Sequence, residues 1–167
     1  NGLLLPERID DLEALDLHSL TVTVNALDPA VGAKIYSHIN YHGKRYSGEE
    51  AASILIANQL SGLKSAAAYG MTIKVNTVLI PGVNDAQIPL IAEKVKSLGA
   101  FVMNVMPIIP QSDFAGITPP TAEEIAAVQS ANEKIIGQFK HCKQCRADAI
   151  GLIGQDMQFA RASCSAS

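Results

Sequence analysis

Three cysteines in 167 residues are too few to build a disulfide scaffold. No apolar run approaches the roughly 20 residues that a membrane-spanning helix needs, and no secretory-signal pattern is visible. Basic runs are missing too, and the formal net charge is −3, which argues against a nucleic-acid-binding function. These absences point to a reducing, cytoplasmic setting with no membrane or nucleic-acid partner. What the chain does have is apolar mass. Hydrophobic residues make up 48% of it, enough at this length for one domain with a core. Its first residue is Asn1, and the opening NGLLLPERIDD reads as a turn running straight into a helix, so the sequence is expected to be an excerpt of a longer chain.

Strands and helices alternate along it. LTVTVNALDP, from Leu20 to Pro29, is short and β-branched and predicts a strand stopped by Asp28-Pro29. HINYHGKRYSG reads as a loop. Ser47, with Glu50 three residues on, predicts a capping box at the start of a long helix that reaches about Tyr69, with Gly70 as its terminator. MTIKVNTVLIPG is the second strand, closed by Pro81-Gly82. Asp85 is expected to cap a helix with Ile88, Ile91, Val95 and Leu98 on one face and Gly99 at its end, Pro89 falling in the tolerant first turn.

AFVMNVMPIIP predicts a third strand. Thr121 and Glu124 then predict a second capping box, for a helix carrying Ile125, Val128, Ile135, Ile136 and Phe139. Residues 1–154 are expected to form one unit, and residues 155–167, ending RASCSAS, a flexible tail. Three strand–helix units in succession predict an α/β fold with parallel strands.

Parallel strands buried on both faces read as continuous apolar runs. These do not. Thr21, Thr23 and Asn25 share one face of the first strand, and Val22 and Val24 the other. In the second, Lys74 and Asn76 oppose Ile73, Val75, Thr77 and Leu79, and Asn104 interrupts the third. A lysine in mid-strand is costly to bury unless it meets an anion or water. The polar face is either an exposed sheet surface or structural network, or the inner wall of a (βα) barrel around a polar ligand. The second reading is favoured, because turn residues cluster at the strand ends, where such barrels carry their sites.

HCKQCRADAIG, residues 141–151, places Cys142 and Cys145 where two thiolates can converge on one metal or cluster edge. A thioredoxin-type pair follows a strand and opens a helix, whereas this one is expected to trail a long helix. Zinc needs four ligands, and only His141 and distant Cys164 are on offer besides. An iron–sulfur cluster needs further ligands too, although Lys143 and Arg146 would offset its charge. A chance surface pair stays open.

Taken together, TVTVNALDP, GAKIY, GKRYSGEEAA, KVNTVLIPGVND, NVMPIIP and HCKQCRADAIG, in that order, resemble the NifB family of radical SAM proteins of nitrogenase cofactor assembly. The resemblance covers residues 1 to 154. KVNTVLIPGVND is shared with other radical SAM enzymes, including the molybdopterin-precursor cyclases, while GKRYSG and HCKQCRADA are the more specific marks.

The family implies a partial TIM-like (βα)6 barrel holding a 4Fe–4S cluster and S-adenosylmethionine (SAM), whose reductive cleavage yields a 5′-deoxyadenosyl radical. Family members use SAM to insert a carbide while fusing two 4Fe–4S units into the precursor of the nitrogenase cofactor. Cluster-donor and cofactor-carrier proteins are the implied partners. The family's CxxxCxxC motif and its glycine-rich SAM-binding strand end are both missing from this sequence. The resemblance therefore implies about three strand–helix units of the barrel, the fourth to sixth, inactive alone and prone to self-association.

Carried over by position, the resemblance implies SAM contacts at Thr23, Asn25, Val75, Asn76 and Met106. It puts Lys74 and Asn104 on the substrate side. Cys142 and Cys145 match a pair that helps hold an accessory iron–sulfur cluster, and Arg146 and Asp148 belong to the same motif without separate roles. Cys164 matches no family position and reads as a free tail thiol. The loop IIPQSDFAGITPP is shorter than the family pattern implies. No catalytic residue is assigned. Two other readings stand beside this one: a non-catalytic iron–sulfur or zinc module that docks a partner, and a radical SAM enzyme with another substrate.

Overall fold

The computed structural model describes residues 1–140. Its centre is a parallel three-stranded sheet in the order β1-β4-β5, with β1 at Ser19–Thr23, β4 at Thr72–Leu79 and β5 at Val102–Pro107. The predicted alternation holds along β4, where Ile73, Val75, Thr77 and Leu79 are buried and the residues between them are not. Ile73 and Val75 form one core with Val22, Val24, Met103 and Val105.

Helices close over that apolar face. Helix α3, Gly48–Ala68, contributes Leu63 and Ala66, and α4, Gln87–Ser97, contributes Ile88, Ile91 and Val95 at helical spacing. The first helix, α1 (Leu5–Ala14), adds Leu5 and Ile9. The α/β class and the parallel strand–helix units are as the sequence predicts. Among the described residues no helix is long and apolar enough to cross a membrane.

Several local expectations are corrected. The first strand ends at Thr23 rather than Pro29. Asp28 accepts a hydrogen bond from the Ala30 N–H at 2.8 Å, and Pro29 follows in the first helical turn, so together they open a short helix, α2 (Pro29–Ile35). The expected loop after it is an antiparallel hairpin, β2 (His38–Tyr41) with β3 (Lys44–Ser47). Its two-residue turn has His42 and Gly43 both at positive φ, 49° and 73°, the twist that hairpins favour.

Ser47 does precede α3, but its side chain makes no capping bond, because Gly48 at φ 60° turns the chain away from capping-box geometry. Asp85 does not cap α4 either; its carboxylate accepts from the Gly82 N–H at 2.6 Å and closes the preceding turn. The Thr121–Glu124 capping box is present in full, at the start of α5 (Ala122–Asn132).

Helix α5 stops well short of Phe139. The Asn132 carbonyl accepts from both Ile135 and Ile136, turning the chain back toward the sheet. Gly137 and Phe139 then bond Met103 from either side, at 2.9 and 2.8 Å, in a parallel bridge on the outer edge of β5. The expectation that the cysteine pair trails directly behind a long helix is therefore corrected: a bridge to the sheet intervenes. The pair itself and the tail lie outside the described residues.

Candidate functional site

The parallel register stacks the polar face in rows. Thr21, Lys74 and Val102 stand opposite one another, then Thr23, Asn76 and Asn104, and Val78 opposite Met106. Beyond the end of β1, Asn25 reaches across and accepts from the Val78 N–H at 2.9 Å. Odd positions of β1 therefore share a face with even positions of β4 and β5, a direct result of the period-two alternation in all three strands.

That face forms the floor of an open cleft of about 530 Å³, a size typical of small-molecule sites, roughly 300–1,000 Å³. Asn25, Lys74, Asn76, Asn104 and Met106 line it, with Ile35, Val78, Ile80, Ile108 and Phe114 among its apolar walls. Its most buried polar side chain is Asn104, and Asn25 is buried too. Asn104 donates from Nδ2 to Asn76 Oδ1 at 3.2 Å, while its own Oδ1 is buried with no partner among the described residues. A buried acceptor without a donor is costly, so a ligand donor at that point would be favoured. The Lys74 ammonium sits 4.1 Å from the centroid of the Phe139 ring.

The rim is held by side chains to which sequence reasoning assigned no role. Asn84, fully buried, accepts from the Ile80 N–H at 2.8 Å and donates to the Asn25 and Val78 carbonyls at 2.9 and 2.8 Å. Gln87 Oε1 accepts from the Leu27 and Asp28 N–H groups at 2.9 and 3.1 Å, fixing the chain that leads from Asn25 into α2. The PGVND stretch already quoted for the resemblance contains Asn84, and its turn signal was the one available cue. Burial pushes the phenol of Tyr36 above the usual tyrosine value, against hydrogen bonding from Asn25 and Gln59 that pulls it down.

Of the positions assigned from the resemblance, Asn25, Lys74, Asn76, Asn104 and Met106 meet on this cleft. Two do not line it. Val75 turns its side chain into the core under the helices, because it is odd-numbered on a strand whose even positions face the cleft. Thr23 lies on the correct face but outside the lining, its carbonyl taken by Gln59 Nε2 at 2.8 Å. Cys142, Cys145, Arg146, Asp148 and Cys164 lie outside the described residues. Among the described residues no group of three or more His, Cys, Asp or Glu side chains is placed to hold a metal ion.

Fold and cleft together define an α/β chain with an open cleft of mixed polar and apolar lining toward the carboxyl ends of its parallel strands. Sequence comparison finds its relatives. The chain is 45% identical over 162 residues to the FeMo cofactor biosynthesis protein NifB of Rhodobacter capsulatus, covering 93% of this chain and 36% of that protein. It is 42% identical to the NifB protein of Klebsiella pneumoniae and 39% identical to that of Chlorobaculum tepidum, again over 93% of the chain. The chain is thus a relative of NifB along nearly its whole length, as the motifs led us to expect. It spans about a third of the length of the curated relatives it matches. No family model matches it.

Proposed function

We propose that the chain forms the SAM-side wall of a radical SAM enzyme that builds the iron–sulfur precursor of the nitrogenase cofactor. Supporting this are the relatives' shared name, FeMo cofactor biosynthesis protein, and a cleft whose chemistry suits a nucleoside-bearing ligand. The observation that carries the reading is the convergence of Asn25, just beyond β1, Asn76 on β4, and Asn104 and Met106 on β5, far apart in sequence, on one cleft. The amides would meet the polar edge of a base, the partnerless Asn104 oxygen would accept from an amino group, and the apolar wall would exclude water from the ring faces. SAM, when bound, supplies the radical chemistry.

On this reading the sheet is part of a larger partial barrel, and Cys142 and Cys145 supply two ligands to an accessory cluster. The setting is cytoplasmic, and the partners are proteins that deliver clusters and accept the product. Alone, the chain is expected to bind SAM weakly and to catalyse nothing, since its sequence lacks the CxxxCxxC motif.

Titration of the chain with S-adenosylhomocysteine by calorimetry tests the reading. Weak saturable binding, lowered about tenfold by Asn104→Ala, the loss expected for a buried hydrogen bond of about 1.4 kcal/mol, supports it. Binding unchanged by that substitution would sink it. A second reading is a non-catalytic module that carries an iron–sulfur or zinc site and docks a partner. Anaerobic iron and sulfide reconstitution separates the two: cluster uptake that needs Cys142 and Cys145, with no S-adenosylhomocysteine binding, selects the docking module.

A further inference from the structure

GKRYSG, a stretch singled out by the resemblance, takes no part in the cleft; Lys44–Ser47 of it form β3 of the hairpin. One face of the hairpin is anchored. Ile39 is buried in a cluster with Leu3, Ala51 and Leu55, and Tyr36, Tyr41 and Tyr46 pack around it. Tyr41 also donates its phenol proton to Glu7 of α1 at 2.6 Å. Alternation turns the other face outward, and that face carries His38, Asn40, Arg45 and Ser47.

This surface is positive on a chain whose net charge is −3. Residues 29–48 hold Lys34, Lys44, Arg45, His38 and His42, and no Asp or Glu. Lys44 and Arg45 are exposed, and neither is ion-paired with a described carboxylate. Glu7 is already engaged by Tyr41 and His42, and Glu49 and Glu50 lie beyond the hairpin in the first turn of α3.

The backbone is open as well. This sheet has two strands, so the outer edge of β3 meets no third strand among the described residues. Across the two-residue turn Tyr41 and Lys44 face each other as a hydrogen-bonded pair, which by parity points the N–H and C=O of Arg45 away from β2. An open edge of this kind accepts an extended peptide by strand addition. A nucleic acid or a lipid surface could use the charge but not the edge.

We propose that the outer edge of β3 docks an extended, acidic segment of a partner protein, one in which carboxylates alternate with apolar residues. The carboxylates would share the face of Arg45 and His38, and the apolar side chains between them would run beside Tyr46. The edge lies outside the cleft, so its docking role and the SAM reading fail independently of each other.

The intact chain is titrated with the peptide acetyl-Glu-Val-Glu-Val-Glu-amide and followed by amide NMR. Saturable shifts centred on residues 44–47 are expected, with slowed hydrogen exchange at the Arg45 amide. Arg45→Glu exchanges an exposed attraction for a repulsion and should weaken binding about fivefold or more. The Lys-Val-Lys-Val-Lys peptide should recover binding on that variant, which also shows that the variant is folded. An N-methylated Glu-Val peptide keeps the charge but lacks ladder donors, and it should not bind.

Equal binding by the N-methylated peptide overturns the proposal, because charge alone then suffices. Signals of residues 44–47 that ignore the peptide overturn it too. Tighter binding there by a tetranucleotide of equal charge, or by phosphatidylserine vesicles, reassigns the surface to nucleic acid or membrane. Self-association that Arg45→Glu abolishes, without peptide binding, gives the edge to a second copy of the chain instead.

Discussion

Asn84 shows how much one side chain can hold in this protein. It satisfies a buried N–H and two carbonyls at once, tying the turn that follows β4 back to the end of that strand and to the segment beyond β1. Asn84→Ala would leave these groups buried and unpaired, which should cost about 2–4 kcal/mol in urea denaturation. The same change should weaken any ligand of the cleft, since Asn25 loses its anchor.

Tyrosines give a second signature. The phenol of Tyr36 is pushed above the usual range by burial, that of Tyr41 by its hydrogen bond to Glu7, and that of Tyr69 by its bond to Asp10. Each is harder to ionise folded than unfolded, so the stability they contribute is complete below the unfolded tyrosine pKa, about 10, and is lost as pH climbs through the folded values. Melting temperature should therefore hold steady to about pH 9.5 and then decline. Tyr36→Phe should make that decline shallower.

Helices α1 and α3 pack closely where Gly62 faces Leu5. A β-carbon built on Gly62 would lie 2.5 Å from Leu5 Cγ and 2.7 Å from Leu5 Cβ. Gly62→Ala should therefore cost about 1–3 kcal/mol by overpacking, a cost that Leu5→Ala should largely relieve in a double-mutant cycle. At α5, removing the capping box with Thr121→Ala should cost about 1 kcal/mol.

Elements with a strong period were legible in the sequence. Ile88, Ile91 and Val95 announce α4, and the alternation from Thr72 to Leu79 announces both the strand and its two faces. Short or ambiguous signals were not. Asp28-Pro29 ends a strand as readily as it starts a helix, and the seven residues of α2 are too few to display a period. The His42-Gly43 turn lacks the Asn-Gly or Asp-Gly pair that usually marks a hairpin. At the cleft, the polar positions could be read, but the meeting of Lys74 with Phe139 could not, because α5 and its reversal at Asn132 bring them together.

For the molecule as a whole, the outer edge of β1 is the point of exposure. His18 and Val24 bond β4 through the Thr72 N–H and the Asn76 carbonyl, so parity turns the N–H and C=O of Thr21 away from the sheet. Leu4 and Leu17 lie exposed in the flanking segments, and Phe101 is exposed elsewhere on the surface. Unpaired edges and apolar patches promote association. Sedimentation of the chain should show concentration-dependent self-association, and Thr21→Pro, which leaves the β4 ladder intact, should reduce it. A monomer at all concentrations would refute this. The one-sided sheet also limits how the sequence can drift. Deleting a single residue early in β4 would send Lys74 and Asn76 into the core and turn Val75 and Thr77 out to the ligand, so lengths here can change only in steps of two or within the loops.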